Sequence, residues 1–174
     1  MKNLLFIALL FFSSQVVAQT EEPVPVSIED LGFLIGEWEG TLEYLDYQDD
    51  STKVQLPVII SCVAKGSKLR LNFNFTEPNG KTVSNKEDIK AGSKPGTLVW
   101  GEEWMVKELK LSPSGKDGLN SITLVQEGKD NDKEATIQLR LMSMANRLAF
   151  RKEVTYKGEE ESFVRNTYKL KVKK

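Results

Sequence analysis

From residue 37 onward, apolar side chains fall on every second position, and no stretch of that length keeps a helical spacing. Trp38, Gly40, Leu42 and Tyr44 share one face, while Glu37, Glu39, Thr41 and Glu43 share the other. The same alternation runs through Val54, Leu56, Val58, Ile60, Cys62 and Ala64, through Leu69, Leu71, Phe73 and Phe75, and through Ala135, Ile137, Leu139 and Leu141. A period of two is the signature of strands with one buried face and one wet face. The rows are broken by turn chemistry at Lys65-Gly66-Ser67, Glu77-Pro78-Asn79-Gly80, Ala91 to Gly96, Ser112 to Gly118, Gly128 to Asp132, Ala145-Asn146 and Lys157 to Glu160. Pro57 lies on the outward parity of its row, which marks an edge, a bulge or a poorly paired spot. The spacing predicts an all-β chain of about eight to ten strands joined by short connections. Such a meander must avoid two long exposed edges, and closing on itself does so. A single antiparallel up-and-down β-barrel is therefore expected, with a two-sheet sandwich as the alternative.

Ahead of the first strand the period differs. Ser27-Ile28-Glu29-Asp30 has the composition of a capping box, and Ile28, Leu31, Leu34 and Ile35 follow at helical spacing. A helix of one or two turns is stable only if its apolar side covers something, so a short N-terminal plug helix is expected. It runs directly into Gly36-Glu37-Trp38.

A short plug helix, Gly-x-Trp opening the first strand and an antiparallel meander together resemble the lipocalin-like, or calycin, superfamily of exported bacterial type. The resemblance covers the mature chain as architecture and about a dozen residues as motif. It implies that Gly36, Trp38 and Arg165 close one end of the barrel, with the guanidinium of Arg165 stacked on the indole. It also implies a lumen that either binds a small molecule or is filled as core. Some barrels of this type isomerise or decarboxylate what they bind.

The first 18 residues read as a secretory signal peptide: Lys2, an apolar run from Leu4 to Phe12, and Ala18 before the cleavage point. That run is too short to span a bilayer, and no later stretch approaches spanning length. No Cys follows the cleavage point to carry a lipid. Residues 19–26 read as an extended leader and 27–174 as the barrel, placing the mature protein in the periplasm or outside the cell. Without Lys2 the charged residues are 23 basic against 25 acidic. This balance argues against nucleic-acid backbones and anionic lipid surfaces as partners. The terminal Lys169, Lys171, Lys173 and Lys174 read as the solvated side of a last strand.

Cys62 is the single cysteine, so no internal disulfide forms, and its parity makes it a small buried apolar residue. The chain has no histidine. His-based triads, His-ligated haem and the usual zinc sites are thereby excluded, and no cofactor or metal is implied. Neighbouring carboxylates such as Glu102-Glu103 point to opposite faces of a strand and do not act together. Asp49-Asp50 and Asp130-Asn131-Asp132 lack the remaining ligands of a calcium loop and read as solvated turns.

The lumen carries what remains. Tyr44, Val58, Ile60, Phe73, Phe75, Trp100, Leu139 and Phe150 have the parity or bulk to line it. If they meet around a space, it suits a small hydrophobic or amphipathic ligand; if they meet each other, they are core, and the role is structural or lies on the outer surface. Enzymatic use of the lumen requires a buried acid or base, for which Glu103, Glu87, Tyr44 and Arg70 are the candidates.

Overall fold

The structure, a computed structural model, describes residues 22–174; the signal-peptide segment and residues 19–21 of the leader lie outside the described residues. Ten strands follow one another as β1 (Gly36–Leu45), β2 (Lys53–Ala64), β3 (Lys68–Thr76), β4 (Thr82–Ala91), β5 (Thr97–Trp100), β6 (Glu102–Lys110), β7 (Asn120–Asp130), β8 (Lys133–Met144), β9 (Arg147–Tyr156) and β10 (Phe163–Val172). Each pairs antiparallel with its sequence neighbours, and β10 returns to β1 to close the barrel. The chain is thus an all-β up-and-down barrel, and the sandwich is excluded. Strand limits lie within a few residues of those the turn chemistry suggests.

The expected short plug helix is reduced to a single 3₁₀ turn. Residues Glu29–Leu34 make a six-residue 3₁₀ turn, with Leu31 N–H donating to Ile28 O (3.1 Å) and Ile35 N–H to Gly32 O (3.2 Å). Six residues with a glycine among them are too few to repay α-helix nucleation. The capping box is present nonetheless: Ser27 donates its backbone N–H and its hydroxyl to Asp30 Oδ2, at 2.8 and 2.9 Å. Leu31, Phe33 and Leu34 are buried and belong to the same core as the strands. Trp38 Nε1 donates to Leu34 O at 2.9 Å, tying this turn to β1. Gly36 sits between them at φ +152°, a backbone conformation side chains disfavour, with the indole 3.6 Å from where its Cβ would be. The Gly-x-Trp motif thus has a local reason: the glycine lets the chain double back over the indole.

Inner rows follow the predicted parity. Val58, Ile60 and Cys62 on β2 and Leu69, Leu71 and Phe73 on β3 are buried, as are Ile137 and Leu141 on β8. Burial pushes the Cys62 thiol up to about 12, as befits an apolar core residue. Pro57 pairs with Thr41 of β1, while the β2–β3 ladder stops at Val58, so its missing N–H costs that ladder nothing. Gly40 leaves no room beside the indole. A Cβ there would meet Lys169 O of β10 at 2.0 Å, so the glycine admits the neighbouring backbone.

The wall is incomplete on one side. The β4–β5 ladder covers only Ile89–Ala91 against Leu98–Trp100, and the β6–β7 ladder reaches only to Met105 opposite Val125. Thr82–Asp88 of β4 and Gln126–Asp130 of β7 therefore flank a gap, with the β5–β6 turn at Gly101 above it.

Candidate functional site

A cavity of about 610 Å³ lies behind that gap. Five of the eight expected lumen residues line it: Phe73, Phe75, Trp100, Leu139 and Phe150. Alternation aims them inward, and ring-on-ring contacts hold them against the wall. Phe73 and Phe75 stack at 6.0 Å with 7° between planes, and Trp100 meets Phe150 edge-on at 6.0 Å. Tyr168 of β10, which the sequence reading missed, joins the rings, 5.9 Å from Phe73 and 5.6 Å from Phe150. Burial raises its phenol pKa, so it stays protonated.

The other three expected residues sit elsewhere. Val58 and Ile60 are 2% and 0% exposed and do not line the cavity; they are filled core nearer the Trp38 end. Tyr44 lines a second hollow of about 310 Å³ with Leu42, Tyr47 and Leu56. The two hollows share Phe75 and Asn166.

The polar lining was only partly foreseen. Glu87 faces the cavity, accepting hydrogen bonds from Trp100 Nε1 and from Asn85 Nδ2 (2.6 Å). Glu103 and Arg70 do not. Glu103 accepts bonds from Ser93 at 3.0 Å, while Arg70 binds Asp88 bidentately on the outer face, at 2.7 and 3.0 Å. These partners hold both carboxyls in the ionised form, the hydrogen bonds from Ser93 acting on Glu103 and those from Arg70 and Lys68 on Asp88. Lys152, Gln126 and Asn166 complete the polar lining of the main cavity. Lys152 was legible as an inward-parity residue on β9, although long cations are seldom assigned to a lumen on parity alone.

Arg165 requires the largest correction. It does not stack on Trp38. Trp38 opposes Val172 on the β1–β10 ladder, seven residues and roughly 23 Å of strand away from Arg165. Arg165 is the extra residue of a β-bulge on β10: Val164 opposes Glu153, and Asn166 opposes the very next residue, Lys152. The bulge turns it inward, where it is fully buried. Its Nε donates to Asp130 Oδ2 at 2.9 Å, Nη2 also bonds that oxygen, and Nη1 donates to Asp50 Oδ1 at 2.7 Å. Its guanidinium lies 4.7 Å from the ring centre of Tyr47 and 4.8 Å from that of Phe163, so cation–π contacts exist, but with other rings. Asp130 is likewise no solvated turn residue. It is 3% exposed and also accepts from Lys152 Nζ at 2.9 Å. Asp132 and Asn131, at φ +65° and +50°, form the two-residue β7–β8 turn, and Asn131 Nδ2 donates to Tyr47 O at 3.1 Å. The loop at 46–52 is thereby anchored over this end of the barrel.

Among the described residues no helix is long and apolar enough to cross a membrane, and no group of three or more acidic, Cys or His residues is placed to hold a metal ion. No family model matches the chain, and no curated protein sequence matches it. Among solved structures it is similar to Rv2717c from M. tuberculosis, with a TM-score of 0.61 and 13% sequence identity, over 88% of this chain and 100% of that one. At that identity the likeness speaks for the fold, and a closed ten-strand antiparallel barrel is what it supports.

Proposed function

We propose that this protein is an exported binding module, lipocalin-like in design, that holds a small hydrophobic or amphipathic molecule in its lumen. The observation that supports this reading is the cavity of about 610 Å³ walled by Phe73, Phe75, Trp100, Phe150 and Tyr168, whose rings contact one another in a stacked pair, an edge-on pair and tilted pairs. Its volume falls within the range of small-molecule sites, and an apolar wall with a few polar groups is their usual composition. The signal-like segment at 1–18 supports the compartment, the periplasm or the exterior.

Native mass spectrometry of the mature protein, purified from its own envelope fraction, tests the reading. The expected result is a reproducible excess mass that disappears on denaturation, on a chain beginning near Gln19. Trp100 and Trp104 both line the cavity, so titration with apolar ligands should also change the tryptophan emission. A bare mass together with unchanged emission overturns the reading.

A further inference from the structure

Resting on that binding role, we infer that the preferred ligand is an amphipathic anion, its carboxylate-like head held by Lys152 and its apolar body against the aromatic wall. Lys152 points into the cavity from β9 with its side chain 22% exposed, and it opposes Asn166 directly on the β9–β10 ladder. Its ammonium carries three donors, of which one reaches Asp130 Oδ1 at 2.9 Å. Asp130 is heavily engaged already: its Oδ2 takes Nε and Nη2 of Arg165 and the Tyr156 hydroxyl. Arg165 is also paired with Asp50, which stands outside the cavity lining in the 46–52 loop, so the two cations and two carboxylates of the cluster balance. On its cavity side Lys152 keeps two ammonium donors that bond no described residue.

Asn166 and Gln126 bring amides and Tyr168 a phenol, groups that both donate and accept, and none of these three side chains hydrogen-bonds another described residue. The one carboxylate lining the cavity, Glu87, accepts one neutral N–H on each oxygen, from Asn85 and Trp100, which fixes its place on the β4 side. An anionic head finds unused ammonium donors at Lys152, on the β9 side, and the competing pull of Glu87 on a cationic head is what the ammonium arm of the test reads. A partly buried site of this kind discriminates strongly, because an unmatched charge or polar group is costly away from water.

The test is a titration of the tryptophan emission with three amphiphiles of equal chain length at neutral pH: laurate, 1-dodecanol and dodecyltrimethylammonium. Laurate should bind tighter than the alcohol by on the order of ten- to a hundredfold, the usual worth of a charged hydrogen bond. Lys152→Met should reduce that ratio to near unity, because only laurate loses a charge-assisted hydrogen bond, and Asp130 keeps Arg165 and Tyr156 as partners in this variant. Should Lys152→Met fail to fold, Asn166→Leu, which removes no ion pair, should lower the laurate ratio by a smaller factor. Equal binding of laurate and dodecanol, or preference for the ammonium, overturns the anionic head while leaving the binding role intact. Binding of none of the three would instead overturn the binding role, and the inference with it.

Discussion

The two ends of the barrel are built from the same ten strands and hold them in different ways. At the Trp38 end, Leu34, Ile60, Leu71, Leu98, Ile122 and Leu141 are all at or below 1% exposed, and the buried polar bonds there are between uncharged groups, the indole to Leu34 O and Asn120 to Ser143. At the Arg165 end the inner rows carry aromatic rings around a space, and the fully buried side chain is a charged one. On β8, Leu141 is 1% exposed, while Leu139, two residues along on the same face, lines the cavity. Aliphatic side chains interdigitate and fill the lumen at the first end, whereas at the second the rings contact one another around the space they line. The Trp38 end is held mainly by packing and the Arg165 end by buried ion pairs.

The largest expected effect breaks that cluster. Arg165→Met removes the partner of a buried carboxylate and leaves Asp130 with Lys152 and Tyr156 alone. The expected cost is about 3–5 kcal/mol in urea unfolding, the usual penalty for removing one partner of a buried ion pair. Replacing both members, as Arg165→Met with Asp130→Leu, should cost less than the sum of the two single changes, because the two fully buried charges go together and the ones left, Lys152 and Asp50, are partly exposed. A loss below about 1 kcal/mol for Arg165→Met would show that packing holds this end too.

How much of this could be read from the chain follows the same division. Parity showed which side chains face inward, because a strand has only two sides. It placed Cys62 and the rows of β2 and β3 correctly. It carried no information on where in the lumen the space lies, so Val58 and Ile60 were grouped with Phe75 and Leu139 although only the latter two reach the cavity, Val58 and Ile60 being the ladder partners of cavity-lining Phe75 and Phe73. Arg165 was misplaced for another reason. A bulge shifts parity by one, and nothing in Phe163-Val164-Arg165-Asn166 signals it, since the inserted residue is defined by its partner strand. The helical spacing of Ile28, Leu31, Leu34 and Ile35 located the turn at Glu29–Leu34 but not its 3₁₀ form, because apolar spacing over so few residues fits both kinds of helix. The polar lining was hidden by its own chemistry: Lys152, Gln126 and Asn166 read as solvent-facing until the closed barrel puts them inside.

A second test compares the ends directly by adding the same atoms to each. Leu141→Phe enlarges a side chain in filled core and should cost about 1–3 kcal/mol through overpacking. Leu139→Phe places its extra volume in the cavity and should cost under about 1 kcal/mol while weakening ligand binding. Equal costs at the two positions would mean that the lumen is as tight at one end as at the other.

The smallest effect concerns the loop over the Arg165 end and is seen through pH. The hydrogen bond from Arg165 holds the Asp50 carboxyl below its ordinary value, with help from Asn131. A carboxylate whose folded pKa is depressed contributes stability that is present above its unfolded pKa of about 4 and is lost as pH falls through the folded value. Asp50→Asn should therefore lower the urea midpoint at pH 7 slightly and flatten its decline below about pH 4. The decline will not vanish, because Asp88, paired with Arg70 and Lys68, and Asp49, held at about 2 by Thr52 and Ser51, are depressed as well and remain. Arg70→Met supplies the contrast: it should reduce the acid decline without touching the cavity, since Arg70 and Asp88 lie on the outer face. Only Asp50→Asn should also change tryptophan-detected ligand affinity, because the 46–52 loop carries Tyr47, which lines the second hollow beside Tyr44. If both variants alter the acid limb and neither alters affinity, the loop over the Arg165 end contributes to stability and takes no part in admitting the ligand.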